Sequence, residues 1–227
     1  MGNFKFDKDL LKKLLAEFTG TAMILTLGCC LSTYSSSGPN YAIGWGLIYL
    51  AAIHTFAFLS GAHLNPAVSA TATIVGVMEW QLMLCYWLVQ LLGALVGFGM
   101  AYVAMPNKSG KICLTTLGNY DEVKLMGIEL FMMMMFLFAY CGIWDKRSES
   151  AYDSVSARVG FIFAALCCAS AYYTGGTLNF YRSLAPAIVH VTFGGLWCIF
   201  VAHLLATIVV ALLWRFLIAA EEPQPME

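Results

Sequence analysis

The sequence predicts an all-α membrane protein with six transmembrane helices and two re-entrant half-helices arranged as an inverted repeat. Three observations support this fold class. The 227 residues are 60% hydrophobic and only 11% charged, whereas a soluble domain carries roughly 25% charged residues. Six apolar runs are long enough to cross a bilayer. In addition, two similar polar segments interrupt the apolar sequence, one in each half of the chain.

The six predicted spans belong to a single membrane domain, residues 1–220. Each run is close to the 20 or so residues that roughly 30 Å of hydrocarbon requires, and none shows the alternation expected of a lipid-exposed strand. The spans are predicted at residues 10–33, 41–59, 80–104, 124–144, 154–172 and 191–218. The repeat halves cover about 10–104 and 124–218. Residues 221–227 are predicted to form a disordered cytoplasmic tail.

Charged residues predict the orientation in the membrane. With six spans both termini lie on the same side, and that side carries most of the Lys and Arg residues. Because cytoplasmic loops hold the excess of positive charge, we expect both termini in the cytoplasm, with the plasma membrane as the location. The single N-x-S/T sequon begins at Asn107, in the loop predicted to be extracellular, and is an expected glycosylation site. The net charge of −1 gives no reason to expect a nucleic-acid partner.

The sequence contains no group of residues that predicts catalysis. Ionisable residues within the spans are too few and too scattered for a nucleophile–base pair or a metal cluster. We therefore predict that the protein is not an enzyme and has no catalytic residue, metal or cofactor. Seven of the eight cysteines fall within apolar spans, and only Cys113 lies in an outer loop. The cysteines are predicted to be small core residues rather than a metal-binding or disulfide-bonded set.

The two polar segments are related by an internal repeat. GAHLNPAVSAT (61–71) and GGTLNFYRSLA (175–185) share their first glycine and their leucine, asparagine and serine positions. Two halves of three spans each have opposite orientations, because three is an odd number. This is the inverted-repeat pattern of transport proteins, in which the functional site lies at the repeat interface.

Each half also carries a glutamate early in its first span. Glu17 lies 48 residues before Asn65, and Glu129 lies 50 residues before Asn179. We expect both carboxylates to be structural and to accept hydrogen bonds from the loop backbone, rather than to carry protons.

Each polar segment is predicted to begin a half-helix near the bilayer centre. Asparagine is among the best N-cap residues, so Asn65 and Asn179 are expected to be the caps. Two helix N-termini that meet at the centre disfavour cations and present amide donors to a neutral oxygen. Backbone carbonyls before each asparagine would supply acceptors. These carbonyls belong to Gly61, Ala62, His63, Gly175, Gly176 and Thr177. The segments therefore predict a pore for small uncharged solutes that form hydrogen bonds.

These motifs resemble those of the aquaporin family of water and glycerol channels, the major intrinsic proteins. The resemblance extends over essentially the whole chain and rests on AEFTGT, SGAHLNPAV, YWLVQLLGA and LNFYRSLAPAIV. It implies one pore in each protomer of a homotetramer, with single-file water passing Asn65 and Asn179. It also implies passive flow along an osmotic or concentration gradient, with ions and protons excluded. The implied partners are water, small neutral solutes, the lipid bilayer and further copies of this chain.

The resemblance further implies a selectivity filter formed by Trp45, Cys167, Gly176 and Arg182. By this resemblance, orthodox water channels have Phe, His, a small residue and Arg at the four positions. Glycerol channels have Trp, Gly, Phe and Arg at the same positions, with Asp after the Arg. This chain combines a glycerol-type Trp45 with a water-type Ser183 after the arginine, and it has small residues at the other two positions. The order of preference among water, glycerol, urea and peroxide is left open.

The second asparagine motif departs from the family pattern. Asn65 is followed by Pro66 and Ala67, whereas the second asparagine is followed by Phe180 and Tyr181. Proline at the first helical position is pre-organised, so its loss removes rigidity but not the cap. Phe180 is expected to pack on Pro66, and Tyr181 either lies between helices or projects into the pore. Three hypotheses follow: a water channel, a glycerol- or urea-type facilitator, or a poorly conducting channel fold with an adhesive or structural role.

Ordinary structural roles compete with several of these assignments. Under them, the two asparagines serve only as caps and Arg182 only pairs with a carboxylate. Trp45 is then an interfacial belt residue, and His63 packs between loops. A shift of one residue would replace Cys167 by Cys168 in the filter.

Overall fold

The computed structural model describes residues 6–35, 37–105, 111–115 and 120–219. Within these ranges the long α-helices are α1 (Lys8–Tyr34), α2 (Pro39–Ser60), α4 (Trp80–Ala104), α5 (Glu122–Trp144), α6 (Val155–Thr174) and α8 (Leu196–Leu213). The short helices are α3 (Pro66–Val75) and α7 (Phe180–His190). A 3-10 helix at Lys146–Ser154 leads into α6, and a π-helical turn at Trp214–Ile218 follows α8. Asn107 and the predicted tail lie outside the described residues.

The six long helical segments are long and apolar enough to cross a membrane. They confirm the predicted fold class of six spans with two short helices between them. The third span begins and ends where it was predicted, at Trp80–Ala104. The predicted start of the last span, residue 191, was wrong. There α7 ends at His190, its C-cap residue Val191 is in the left-handed conformation (φ 50°), and a turn through Gly195 (φ 76°) precedes α8.

Close helix packing depends on glycines that face the backbone of a neighbour. A Cβ atom placed on Gly97 of α4 would lie 2.3 Å from the carbonyl oxygen of Ala22 on α1. A Cβ atom on Gly46 of α2 would lie 2.5 Å from the carbonyl oxygen of Gly160 on α6. Small residues are needed at such contacts because helices in lipid associate through packing rather than through the hydrophobic effect.

The two half-helices begin as predicted. The Asn65 side chain accepts a hydrogen bond from the N–H of Ala67, and the Asn179 side chain accepts one from the N–H of Tyr181, each at 3.0 Å. Before each cap the backbone follows the same unusual path, since Leu64 and its equivalent Leu178 have left-handed φ values of 51° and 47°. The two segments therefore share one backbone geometry although their helices begin with different residues.

We expect Gly97→Ala to lower the thermal stability of the protein in detergent, because the new methyl group would push α1 and α4 apart. Gly99→Ala is the matched control on the same helix, since no atom of another described element lies within 4 Å of its added Cβ. At that position alanine should be neutral or favourable, by up to about 1 kcal/mol of helix propensity. Circular dichroism melting should give a lower Tm for Gly97→Ala only. Equal Tm values for the two variants would contradict the close contact.

Candidate pore

Reciprocal hydrogen bonds join the N-termini of the two half-helices. The Asn65 Nδ2 atom donates to the carbonyl oxygen of Leu178 at 2.7 Å, and the Asn179 Nδ2 atom donates to the carbonyl oxygen of Leu64 at 2.8 Å. Both asparagine side chains are fully buried. Each asparagine thus caps its own half-helix and also holds the backbone of the other segment. Donation from either asparagine to a permeating molecule stays a prediction.

Glu17 supports the first segment from α1. Its carboxylate accepts hydrogen bonds from the N–H groups of His63 at 2.8 Å and Leu64 at 2.7 Å. It also accepts from the Ser60 hydroxyl at 2.7 Å and from the Gln90 side-chain amide at 2.8 Å. These contacts are the backbone-accepting ones predicted for this carboxylate. They satisfy a buried acidic group with four donors, as burial requires.

Glu129 supports the second segment in the equivalent way. It accepts from the Thr177 N–H at 3.3 Å and from the Thr177 hydroxyl. The Nε2 atom of His203 on α8 lies 3.1 Å from the same carboxylate. Thr177 and His63 both precede their asparagine by two residues, so the two glutamates accept hydrogen bonds at equivalent positions of the repeat.

Arg182 lies in a network of hydroxyl and aromatic groups. Its guanidinium donates to the Tyr41 hydroxyl at 2.8 Å and to the Thr115 hydroxyl at 2.7 Å. The Cζ atom lies 5.2 Å from the centroid of the Trp45 ring, within the range of a cation–π interaction. Trp45 is only 2% exposed, and its ring tip fits against Gly28 of α1. Burial excludes the alternative that Trp45 is an interfacial belt residue.

Cys167 and Gly176, the other two predicted filter residues, contact each other. A Cβ atom on Gly176 would lie 2.7 Å from the Cys167 Sγ atom, and the glycine has a left-handed φ of 60°. Cys167 is fully buried, whereas Cys168 is exposed. In this structure Cys167 therefore faces the interior of the bundle, and Cys168 does not. The role of the four residues as a filter stays a proposal.

Two cavities open near opposite ends of α2. The Arg182 vestibule, of about 600 Å³, is lined by Tyr41, Thr115 and Arg182 among others. The His63 vestibule, of about 400 Å³, includes Ser60 and His63 in its lining. Tyr41 and Ser60 are near the two ends of α2, which puts them about 30 Å apart along the helix. The two vestibules therefore lie at the two ends of the candidate pore.

Between the vestibules lies a column of buried aromatic side chains, formed by Trp45, Tyr49, Phe136 and Phe163. Tyr49 stacks on Phe163 with ring centroids 3.9 Å apart and an angle of 18°. Phe136 packs edge-on against Tyr49 at 6.2 Å. The Tyr49 hydroxyl also accepts a hydrogen bond from Asn179 Nδ2 at 3.1 Å. Tyr49 was missed by the sequence analysis, although it lies one helical turn after Trp45 and so shares its face.

The aromatic pair of the second motif occupies a different place. The ring of Phe180 contacts Phe200 of α8 with centroids 5.3 Å apart. Phe200 itself is 49% exposed on the outside of the bundle. Tyr181 is half-buried and packs against the edge of the hydrophobic core. Phe180 therefore packs towards α8, and its expected packing on Pro66 stays a prediction.

A disulfide connects Cys29 of α1 to Cys113 of the loop between α4 and α5. The prediction that the cysteines are core residues without a disulfide was wrong for this pair. The partners are 84 residues apart, and no local sequence pattern predicts that the loop between α4 and α5 returns to α1. Two residues after Cys113 the same loop places Thr115 against Arg182. The disulfide therefore anchors the loop that brings Thr115 to Arg182, a contact that the sequence analysis also missed.

Comparison with known proteins identifies the family. A family model described as Major intrinsic protein matches residues 5–214. This chain belongs to the major intrinsic protein family. Family membership and the six apolar helices make it an integral, multi-pass membrane channel protein and not an enzyme.

Individual relatives cover nearly all of the chain. The lens fiber major intrinsic protein of Mus musculus is 30% identical over 213 residues, which are 91% of this chain and 81% of that protein. A probable aquaporin of the NIP type from Nicotiana alata is 26% identical over 220 residues, or 94% of this chain and 80% of that protein. The X-ray structure of the aquaglyceroporin from Plasmodium falciparum superposes with a TM-score of 0.81 at 24% identity, covering 92% of this chain and 97% of that one. The structural likeness supports the fold.

We expect reduction of the denatured wild-type protein to expose two additional thiols, those of Cys29 and Cys113. Maleimide labelling with and without reductant, read by mass spectrometry, counts them. In Cys113→Ser the count should no longer depend on reductant. Cys30→Ser is the matched control, because Cys30 is adjacent to the disulfide but free, and it should still gain two thiols. A wild-type count that reductant leaves unchanged would contradict the disulfide.

Proposed function

We propose that this protein is a passive channel for water, with glycerol or other small neutral solutes as a second cargo. The observation that carries the proposal is the pair of reciprocal asparagine–carbonyl bonds that join two helix N-termini between the two vestibules. The positive ends of two helix dipoles disfavour cations at that point, including a hydrated proton. Only neutral molecules would then pass, and the gradient alone would set the direction of flow.

We assign the selectivity filter to Trp45, Cys167, Gly176 and Arg182. Arg182 is held by two hydroxyl groups and one aromatic ring, so its guanidinium has a fixed orientation towards the vestibule. The Trp45 Nε1–H is a buried donor with no acceptor among the described residues. The Arg182 guanidinium and the Trp45 Nε1–H therefore offer hydrogen-bond donors beside the apolar face of the Trp45 ring. Cys167 and Gly176, which contact each other, are small and so favour room for a solute larger than water.

The path beyond the filter would be lined by the backbone carbonyls named above, in residues 61–63 and 175–177. Within these segments Glu17 accepts from the N–H group of His63 and Glu129 from that of Thr177, and the other N–H groups donate to neighbouring backbone or hydroxyl oxygens. Since the N–H groups are occupied, the carbonyls are the polar groups available to a solute, as a selectivity path of acceptors requires. The Gly175 carbonyl would be shared, because it already accepts a hydrogen bond from the Tyr41 hydroxyl at 2.9 Å. The names of two similar proteins, a probable aquaporin and an aquaglyceroporin, agree with water and glycerol as the candidate cargoes.

A second candidate function is that of a poorly conducting channel fold with an adhesive or structural role. The observation that favours it is the burial of the pore centre, since Asn65 and Asn179 are both 0% exposed. The two candidates differ in one measurable quantity, the water permeability of a membrane that contains the protein.

Assembly and location complete the proposal. Large apolar side chains are exposed along several helices, including Leu47, Leu92, Phe161 and Leu204, which suits contact with lipid and with further copies of the chain. We propose a homotetramer in the plasma membrane, with both termini cytoplasmic, a single domain over residues 1–220 and a glycan on Asn107. Native mass spectrometry would test the tetramer, whose mass without a glycan is four times 24.9 kDa.

Stopped-flow light scattering tests the channel function. Proteoliposomes that contain the purified protein should shrink in a hyperosmotic buffer faster than protein-free liposomes of the same lipid. Uptake of radiolabelled glycerol into the same vesicles separates a water channel from a glycerol facilitator. A shrinkage rate equal to that of protein-free liposomes would overturn the proposed function and favour the second candidate.

The filter assignment predicts a specific site of inhibition. A small mercurial should slow water flow by reacting with Cys167, which is buried on the interior side of α6. Cys167→Ser should abolish the inhibition. The matched control is Cys168→Ser, because Cys168 is exposed on the outside of the same helix, and this variant should remain sensitive. Insensitivity of the wild type, or unchanged inhibition of Cys167→Ser, would contradict the assignment of Cys167 to the pore.

A further inference from the structure

The two pore asparagines differ in how their amide donors are used. A side-chain amide nitrogen carries two hydrogens. Asn179 Nδ2 donates to both the Leu64 carbonyl at 2.8 Å and the Tyr49 hydroxyl at 3.1 Å. Within the described part of the chain, Asn65 Nδ2 donates only to the Leu178 carbonyl. The repeat makes the two asparagines equivalent, but a tyrosine takes the second donor of only one of them.

The ring of Tyr49 is held in place on two sides. It stacks face to face on Phe163, and Phe136 packs against it edge-on. The ring is 1% exposed, and both asparagines are fully buried. In this conformation a water molecule cannot reach either asparagine, so the centre of the pore is closed. Phe136 and Phe163 have no polar side-chain atom, and only Tyr49 links the aromatic column to Asn179.

We propose that Tyr49 is the gate of this pore and a determinant of its selectivity. The inference rests on the proposed function, because it concerns the same conduction path. The Tyr49 hydroxyl holds the donor that a permeating oxygen would use at Asn179, and its ring fills the space beside that donor. Conduction then requires Tyr49 to leave Asn179 and to unstack from Phe163.

The fold offers a simple movement for this opening. In an α-helix an aromatic side chain has two accessible χ1 wells, near 180° and near −60°. A change between them swings the ring while the α2 backbone stays where it is. Trp45, one turn away, contacts Arg182 in this structure, and the rotation of Tyr49 does not require that contact to change. The gate and the filter are therefore separable elements on one helix.

Two substitutions separate the hydroxyl from the ring. Tyr49→Phe removes the hydrogen bond and keeps the ring, whereas Tyr49→Val removes both. We expect Tyr49→Phe to raise the water permeability per channel roughly fivefold, the factor that corresponds to one neutral hydrogen bond. Tyr49→Val should raise it further and lower its Arrhenius activation energy. Tyr34→Val is the matched control, since Tyr34 is 86% exposed and lines neither vestibule, and it should behave as the wild type.

Stopped-flow measurements on proteoliposomes, normalised to the amount of folded protein, give the result. A permeability of Tyr49→Val no higher than that of the wild type would overturn the gate. A permeability of Tyr49→Phe equal to that of the wild type would overturn the competition for Asn179. Should Tyr49→Val fail to fold, the conservative Tyr49→Phe carries the test alone. If every variant and the wild type match protein-free liposomes, the proposed function fails as well, whereas a fast wild type that Tyr49→Val does not exceed removes only the gate.

Discussion

The buried backbone of two non-helical segments is the constraint on which the rest of this structure depends. Residues 61–65 and 175–179 leave helical geometry inside a membrane protein, where an unpaired backbone polar group costs several kcal/mol. Glu17 and Glu129 are placed on α1 and α5 to accept from the N–H groups, and the two asparagines donate across to carbonyls of the opposite segment. The half-helices can meet at the centre because these four side chains satisfy the backbone groups nearest to each cap, and hydroxyl groups such as those of Ser60 and Thr174 accept from others.

The same constraint explains why the second motif tolerates Phe180 and Tyr181. The essential contacts come from Asn179 and from the backbone, not from the residues that follow the cap. Proline would only pre-set the φ angle of the first helical residue, and the backbone before the cap is unchanged without it, as the matching φ values of Leu64 and Leu178 show. The larger side chain of Phe180 is accommodated by a contact with α8.

Sequence reasoning succeeded where a feature is local or repeated. Apolar length and the Asn caps predicted the spans and the half-helices, and the paired glutamates followed from the repeat. It failed where the feature depends on tertiary structure: the Cys29–Cys113 bond and the contact of Thr115 with Arg182 both require a loop to return to the bundle. Tyr49 shares a helical face with Trp45, but its bond to Asn179 joins residues 130 positions apart, and its apolar setting made it resemble ordinary core.

The proposed filter and the centre of the pore act differently on a large solute. At the filter, Trp45 and Arg182 together offer an apolar surface and polar donors beside small residues, an arrangement suited to a polyol. At the centre, Tyr49 holds one donor of Asn179, and in the proposed gate this bond has to break before a solute can use the donor, so the exchange of contacts gains the solute little. Each hydroxyl that loses a water contact without replacement costs about 1 kcal/mol or more. Glycerol carries three hydroxyls and fills more space than water, so the proposed gate would favour water even where the proposed filter admits glycerol.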